Sequence, residues 1–264
     1  MPTLTPPVHP VLLDDRRHDV LRLGSGAPVI VLINGAGGPV DAWFRLLPLL
    51  DGLGTLFAYN RPGIGRSAPP QAPQTSAEVV RTLRRLLAAL RLAPPYLLVA
   101  HSLGGLHAQW FARAHPQEVG AVVLLDATAP QDIALMQSGE SALQRGLRRL
   151  IDRWSPPDPL GETQQAAISA AALQALPPFP PLPLRVITGA RPALRWLTPA
   201  AQLAGRAQHQ QELARLSPCG RQLIAARSGH FPQFTEPALV AAAIRALAAG
   251  QAPTARVMHP STSR

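Results

Sequence analysis

The 264-residue chain is long enough to bury one large α/β core, and its length does not require a second domain. Its formal charge of +10 comes from 25 basic residues, all of them arginine, against 15 acidic ones, and a lysine-free composition with 30 prolines is typical of a GC-rich bacterial genome. Because the arginines are spread along the chain, with no basic tail and no patch interleaved with aromatic residues, we expect no nucleic-acid partner.

Three further features bear on the location of the protein. Cys219 is the only cysteine, so no disulfide can form within the chain. The first residues show neither a basic start nor an uninterrupted apolar run, unlike a secretory signal. The longest apolar stretches, 28–33 and 238–249, fall short of the ~20 residues that a membrane-spanning helix needs. We expect a cytoplasmic protein without stable membrane insertion; the sequence leaves its oligomeric state open.

Short apolar runs rich in valine, isoleucine and leucine alternate with segments of helical periodicity along the chain. This alternation is typical of a mostly parallel sheet covered by helices on both faces. The sequence therefore predicts an eight-stranded α/β fold whose first two strands form a hairpin. The strands are expected at residues 11–15, 19–23, 28–34, 55–60, 96–101, 121–126, 184–188 and 222–226.

Helical periodicity predicts helices at residues 76–92, 103–115 and 236–249. The first opens at Thr75 and Ser76 with an acidic residue in its first turn, and the last opens at Thr235 with a proline in its first turn. Hydroxyl side chains cap helix starts, and proline is tolerated there because its missing N–H has no partner in the first turn. The starts of both helices are therefore predicted by residues within or next to the first turn.

Residues 129–183 interrupt this rhythm and contain several proline runs. We predict a helical cap inserted into a core formed by residues 11–128 and 184–250, with 1–10 as an N-terminal extension and 251–264 as a disordered tail. Residues 143–154 of the cap place leucines and a tryptophan on one helical face and arginines mainly on the other. This helix is expected to pack over the core, and docking to an acidic membrane surface is the alternative.

The predicted fifth strand leads into Ala100-His101-Ser102-Leu103-Gly104, which is close to the nucleophile elbow G-x-S-x-G. A serine on such a tight strand-to-helix turn has a strained backbone, and small neighbours let strand and helix approach each other. Ala100 replaces the first glycine but stays small. Ser102 is the candidate nucleophile, and the N–H of Leu103, at a helix N-terminus, can donate to a developing oxyanion.

A second oxyanion donor is expected in the glycine-rich turn after the third strand, residues 34–38. Ala36 is the first candidate and Gly37 the alternative. Gly35 of the same turn and His101 beside the serine are further candidates for lining the substrate site, although packing is the other interpretation for His101. These groups would surround one reacting carbonyl.

These motifs resemble those of the α/β-hydrolase fold family, and the similarity runs nearly end to end. The motifs follow the family order: the turn at 34–38, residues 60–67 after the fourth strand, the elbow, then 228–231. Asn34-Gly35 replaces the frequent His-Gly, and Asn60-Arg61 the frequent Asp-Arg. The resemblance implies a small esterase-like or lipase-like serine hydrolase.

The resemblance also implies a base and an acid. It places the base at His230, after the last strand, and usually places the acid just after the seventh strand. Residues 188–193 contain no carboxylate, whereas Asp126 ends the sixth strand, which some family members use for the acid. Asp126 is therefore the predicted acid, with a capping role as its other interpretation, and Asp132 is the alternative acid.

The resulting hypothesis is cleavage of a carboxylic ester, lactone or amide through an acyl-enzyme on Ser102. The partner is a small-molecule substrate, and neither a cofactor nor a metal is implied. Apolar cap residues indicate a partly hydrophobic substrate, although they could equally form the core of the cap. A ligand-binding or weakly catalytic protein, or a lyase-type member of the fold, is the alternative function. The cap residues in question are Leu135, Met136, Leu143, Trp154, Leu173 and Phe179.

Overall fold

The computed structural model describes residues 8–138, 158–191 and 200–250. These ranges contain eight strands, which form one sheet in the order β1-β2-β4-β3-β5-β6-β7-β8. β1 pairs antiparallel with β2 and β2 antiparallel with β4, and every other pair is parallel. The strands are β1 Val8–Leu13, β2 Arg16–Leu23, β3 Val29–Ile33, β4 Thr55–Tyr59, β5 Tyr96–His101, β6 Val119–Leu125, β7 Leu184–Gly189 and β8 Gly220–Ala225.

Helices cover both faces of this sheet. The central strands β3, β4 and β5 are buried along their whole length, as expected when both faces are covered. Leu83 of α1 and Phe111 of α2 pack on one face, whereas Trp43 and Ile244 pack on the other. The helices are α1 Ser76–Ala89, α2 Gly104–Ala114, α3 Pro130–Ser138, α4 Ala166–Leu173, α5 Ala200–Ala214, α6 Pro232–Thr235 and α7 Pro237–Ala249.

All eight predicted strands are present, and the first two form the predicted hairpin. The largest differences lie in the hairpin, because β1 begins at Val8 and not at residue 11, and β2 begins at Arg16 and not at residue 19. Residues 8–10, which the sequence assigned to an extension, thus pair with β2. Pro10 is tolerated there because β1 is an edge strand and Pro10 lies exposed on it, so its missing N–H breaks no buried ladder.

Helix ends differ from the predicted ones for local reasons. The Thr75 hydroxyl accepts the Glu78 N–H at 3.3 Å, so the predicted cap of α1 is confirmed. This helix ends at Ala89, because Arg91 takes a left-handed φ of 54°. The predicted capping of the last helix by Thr235 is wrong, because Thr235 is the last residue of α6 and Glu236 occupies the N-cap position of α7.

Between β6 and β7 the structure describes α3 and α4. Ala170 and Leu173 of α4 pack against Leu103 and Leu106, next to the start of α2. The predicted basic helix at 143–154 lies outside the described residues. Within the described ranges, no helix combines the length and hydropathy that crossing a bilayer requires.

Candidate active site

The carboxyl edge of the sheet brings three of the predicted residues together. Ser102 follows β5, Asp126 follows β6 and His230 lies between β8 and α6. The parallel register pairs His101 with Leu125, so the last residues of β5 and β6 lie side by side. Functional groups gather at such carboxyl ends in α/β sheets.

The turn that carries Ser102 has the strained backbone that the motif predicts. Ser102 has a φ of 51°, in the left-handed region that residues with a side chain rarely adopt. A Cβ atom at Gly104 would lie 2.5 Å from the Asn34 carbonyl oxygen, and one at Gly105 would lie 2.6 Å from Ala127 Cβ. Both contacts are too short for any side chain, so the turn requires glycine at these positions.

Hydrogen bonds join Ser102, His230 and Asp126 in one chain. His230 Nε2 lies 2.9 Å from Ser102 Oγ, and His230 Nδ1 lies 2.7 Å from Asp126 Oδ2. The carboxylate can only accept, so Nδ1 carries the proton and Nε2 accepts from the serine hydroxyl in the neutral imidazole. This is the arrangement in which the histidine can remove the serine proton.

The carboxylate of Asp126 is buried and fully engaged. Oδ2 also accepts from Arg206 Nη2 at 2.6 Å, and Oδ1 accepts the Gly189 N–H at 3.2 Å. Burial alone would raise the pKa of Asp126, but the hydrogen bond from His230 and the charge of Arg206 outweigh burial and lower it. Asp126 therefore stays ionised beside the histidine.

Asp132, the alternative acid, does not reach His230. Its Oδ1 lies 2.7 Å from Nδ1 of a different histidine, His209, and its Oδ2 accepts the Ala129 N–H at 2.8 Å. Asp132 thus caps the start of α3 and pairs with α5. The capping role that the sequence left open for Asp126 belongs to Asp132.

The backbone N–H groups of Leu103 and Ala36, the two predicted donors, have no acceptor among the described residues. The Gly37 N–H, the alternative donor, instead donates to Glu162 Oε1 at 2.7 Å, so that prediction is wrong. The sequence could not show this contact because Glu162 lies far along the chain. A Cβ at Gly35 would lie 3.0 Å from Ser102 Cβ, so its glycine lets the turn approach the serine.

His101 supports His230 from behind. It is buried, its Nε2 donates to the His230 carbonyl at 2.7 Å, and the two rings lie 4.8 Å apart. Burial, followed by the charge of His230, lowers the pKa of His101 to about 4. The neutral ring therefore helps to fix the backbone of His230, which agrees with the packing interpretation.

We expect His101 to contribute to acid sensitivity. Its pKa is 6.5 ordinarily and about 4 in the fold, so between these values the unfolded chain binds the proton first. Its stabilising contribution is complete above pH 6.5 and is lost as the pH falls towards 4, a loss of about 3 kcal/mol. Urea unfolding at several pH values should show a shallower decline for His101→Gln than for wild type.

Asp126 and Glu162 also have lowered pKa values, so their protonation in acid lowers the free energy of unfolding as well. Both carboxylates are present in wild type and in His101→Gln, so their effect cancels when the two proteins are compared. The matched control is His9→Gln, since His9 is exposed on β1. It should keep the wild-type slope. Parallel curves for wild type and His101→Gln would show that His101 is not the responsible group.

Sequence reasoning missed a buried cluster below the 34–38 turn. Arg61 and Glu162 form an ion pair with Nη2 and Oε1 2.8 Å apart, and His107 Nε2 lies 3.6 Å from Glu162 Oε2. His107 Nδ1 also lies 2.9 Å from the Ser76 hydroxyl. The only available signal was Arg61 within the 60–67 motif. Among the described residues, no group of three or more His, Cys, Asp or Glu side chains could hold a metal ion.

Comparisons with known proteins agree with this architecture. A model of the alpha/beta hydrolase fold matches residues 28–163, just over half of the chain. Pimeloyl-[acyl-carrier protein] methyl ester esterase of Edwardsiella ictaluri is 29% identical over 86% of this chain and 96% of its own. Protein YqjL of Bacillus subtilis is 35% identical, but the match spans 41% of this chain and 43% of YqjL. Wild-type Cfl2 from Burkholderia cenocepacia has a similar structure, with a TM-score of 0.69, 21% identity, and coverage of 91% and 95%.

Proposed function

Because the chain belongs to the alpha/beta hydrolase fold family, we propose that it is a serine hydrolase that cleaves a carboxylic ester of a small molecule. The observation that carries the proposal is the hydrogen-bonded chain from Ser102 through His230 to Asp126. Similarity to an esterase over most of both chains supports an ester over a lactone or an amide. No cofactor enters the mechanism.

In the first half-reaction, Ser102 Oγ attacks the ester carbonyl while His230 Nε2 takes the serine proton. Asp126 stabilises the imidazolium that forms, and the N–H groups of Leu103 and Ala36 donate to the oxyanion. When the tetrahedral intermediate collapses, the C–O bond to the alcohol breaks and His230 returns its proton to the leaving alcohol. The acyl group stays on Ser102.

The second half-reaction releases the acid. A water molecule gives its proton to His230 and attacks the acyl carbonyl, and the same two N–H groups stabilise the second oxyanion. Collapse breaks the bond to Ser102 Oγ, which recovers the proton from His230. The products are a carboxylic acid and an alcohol, and the enzyme is restored.

The apolar cap residues give less information on the substrate than the sequence suggested. Leu173 and Phe179 are buried in core clusters, Leu173 against Leu106 and Phe179 in the cluster of α1 and α2. Their burial agrees with the other interpretation of the sequence, in which these residues form a hydrophobic core. A partly hydrophobic substrate remains our proposal, to be tested with p-nitrophenyl esters of increasing chain length.

The alternative of a ligand-binding or weakly catalytic protein rested on the missing acid after the seventh strand. The 2.7 Å contact between His230 and Asp126 supplies a carboxylate from the neighbouring strand and removes that ground. No described contact favours a lyase over a hydrolase. The serine hydrolase is thus the function that the geometry supports best.

A fluorophosphonate probe tests the proposal directly. We expect one probe adduct per wild-type chain, on Ser102, because a nucleophilic serine with an oxyanion hole attacks the phosphorus centre. Intact-protein mass spectrometry measures the adduct. The Ser102→Ala variant and heat-denatured wild type should stay unlabelled, whereas an absence of labelling on Ser102 in folded wild type would refute the proposal.

A further inference from the structure

The 34–38 turn is held in place by two buried charged side chains. Arg61 donates from Nη1 to the Asn34 carbonyl at 2.9 Å and from Nη2 to the Gly35 carbonyl at 2.5 Å. Glu162 Oε1 accepts the Gly37 N–H at 2.7 Å. The turn is thus held through two carbonyl groups and one N–H group.

The two side chains also hold each other. Arg61 Nη2 donates to Glu162 Oε1 at 2.8 Å, and Arg61 Nε lies 2.5 Å from Glu162 Oε2. The side chains are only 3% and 10% exposed, so water screens their attraction little. Burial alone would raise the pKa of Glu162, but the charge of Arg61 holds it well below its ordinary value. The carboxylate is therefore ionised at neutral pH.

This arrangement fixes the direction of the Ala36 N–H. The Gly35 carbonyl and the Ala36 N–H belong to one planar trans peptide, in which the C=O and N–H bonds point in opposite directions. When Arg61 holds the Gly35 carbonyl, the Ala36 N–H is aimed away from Arg61. The Gly37 N–H lies on the next peptide, so Glu162 fixes the other side of Ala36 in the same way.

We infer that Glu162 is a positioning residue for the oxyanion hole, which acts with Arg61 by aiming the Ala36 N–H at the substrate carbonyl. The inference rests on the proposed function. Glu162 comes from the segment between β6 and β7, which is fastened to the core where the Gln74 N–H donates to the Leu160 carbonyl at 2.8 Å. The inserted segment therefore supplies part of the catalytic geometry of the core.

The effect should fall on turnover and not on binding, because an oxyanion donor acts mainly in the transition state. For Glu162→Met we expect kcat for a p-nitrophenyl ester to fall about 100-fold, with KM within about threefold of wild type. Glu162→Gln keeps an oxygen that can accept the Gly37 N–H, so its kcat should lie between those of Glu162→Met and wild type. The same order is expected for the rate of fluorophosphonate labelling.

A double variant separates positioning from stability. Glu162→Met leaves the Arg61 charge buried without its partner, so the single variant can lose its fold. In Arg61→Met/Glu162→Met the pair is replaced by apolar side chains, so Tm should return towards the wild-type value while kcat stays about 100-fold low. The control is Glu118→Met, because Glu118 is also paired with an arginine, Arg84, and should keep the wild-type kcat.

The outcomes distinguish this inference from the proposed function. An unlabelled wild type would overturn both. A labelled wild type together with a folded Glu162→Met or double variant of unchanged kcat would overturn the inference alone. A loss of kcat that disappears when Tm recovers in the double variant would also overturn it, because the role of Glu162 would then be structural.

Discussion

Replacing Asp126 with Asn should lower kcat for ester hydrolysis by about 10⁴-fold. The amide cannot hold the Nδ1–H tautomer of His230 or stabilise the imidazolium, because its charge is gone and its NH₂ group donates where an acceptor is needed. The loss should be in kcat, since Asp126 is buried and contacts His230 and Arg206. Steady-state kinetics with a p-nitrophenyl ester measure it.

The matched control is Asp132→Asn. Asp132 is equally buried and has its own histidine at 2.7 Å, but that histidine is His209. This variant should unfold at a lower temperature, because a cap and the contact of the carboxylate with His209 are weakened, and should keep kcat within about threefold of wild type. Near-normal turnover by Asp126→Asn, or a collapse of turnover in Asp132→Asn alone, would reverse the assignment of the acid.

Replacing Ser102 with Gly should abolish turnover and yet give a more stable protein than replacing it with Ala. Removal of the nucleophile costs about 10⁶-fold in kcat in either variant. Ser102 has a φ of 51°, which costs a residue with a Cβ atom about 1 kcal/mol and costs glycine almost nothing. Ser102→Gly should therefore melt about 2–4 °C above Ser102→Ala.

A second left-handed residue provides the control for this backbone effect. Arg91 has a φ of 54°, is exposed and lies between α1 and β5, so the whole of β5 separates it from Ser102. Arg91→Gly should melt higher than Arg91→Ala by a similar amount, with unchanged turnover. If Ser102→Gly melted below Ser102→Ala while the Arg91 variants behaved as stated, the strain at the nucleophile would not explain the stability of the turn.

The residues that the sequence identified best are those with local signals. Ser102 follows an apolar strand and precedes two glycines, and the close contacts at Gly104 show why the motif has this form. Asp126 could be predicted as the acid because the usual position after the seventh strand contains no carboxylate. The carboxyl ends of neighbouring parallel strands also lie at the same edge of the sheet. The fold was predictable for the same reason, since each buried strand is an apolar run bounded by turn residues.

The residues that the sequence missed act over long separations. Glu162 contacts Arg61 and Gly37 across 101 and 125 residues, and Arg206 contacts Asp126 across 80. Neither Glu162 nor Arg206 lies in a periodic pattern of the sequence. A buried ion pair cannot be told from two solvated charged side chains by sequence alone. The predicted donor role of Gly37 fails because its N–H donates to Glu162, which lies far away in the sequence.

The position of the acid has a consequence for the design of variants. Ser102 and Asp126 lie at the ends of two adjacent strands, so one backbone ladder between β5 and β6 sets their separation. In a chain whose acid follows β7, a change in the segment after β7 would disturb the carboxylate itself. Here residues 192–199 contain no carboxylate, so a directed-evolution library can vary their sequence and still retain all three groups.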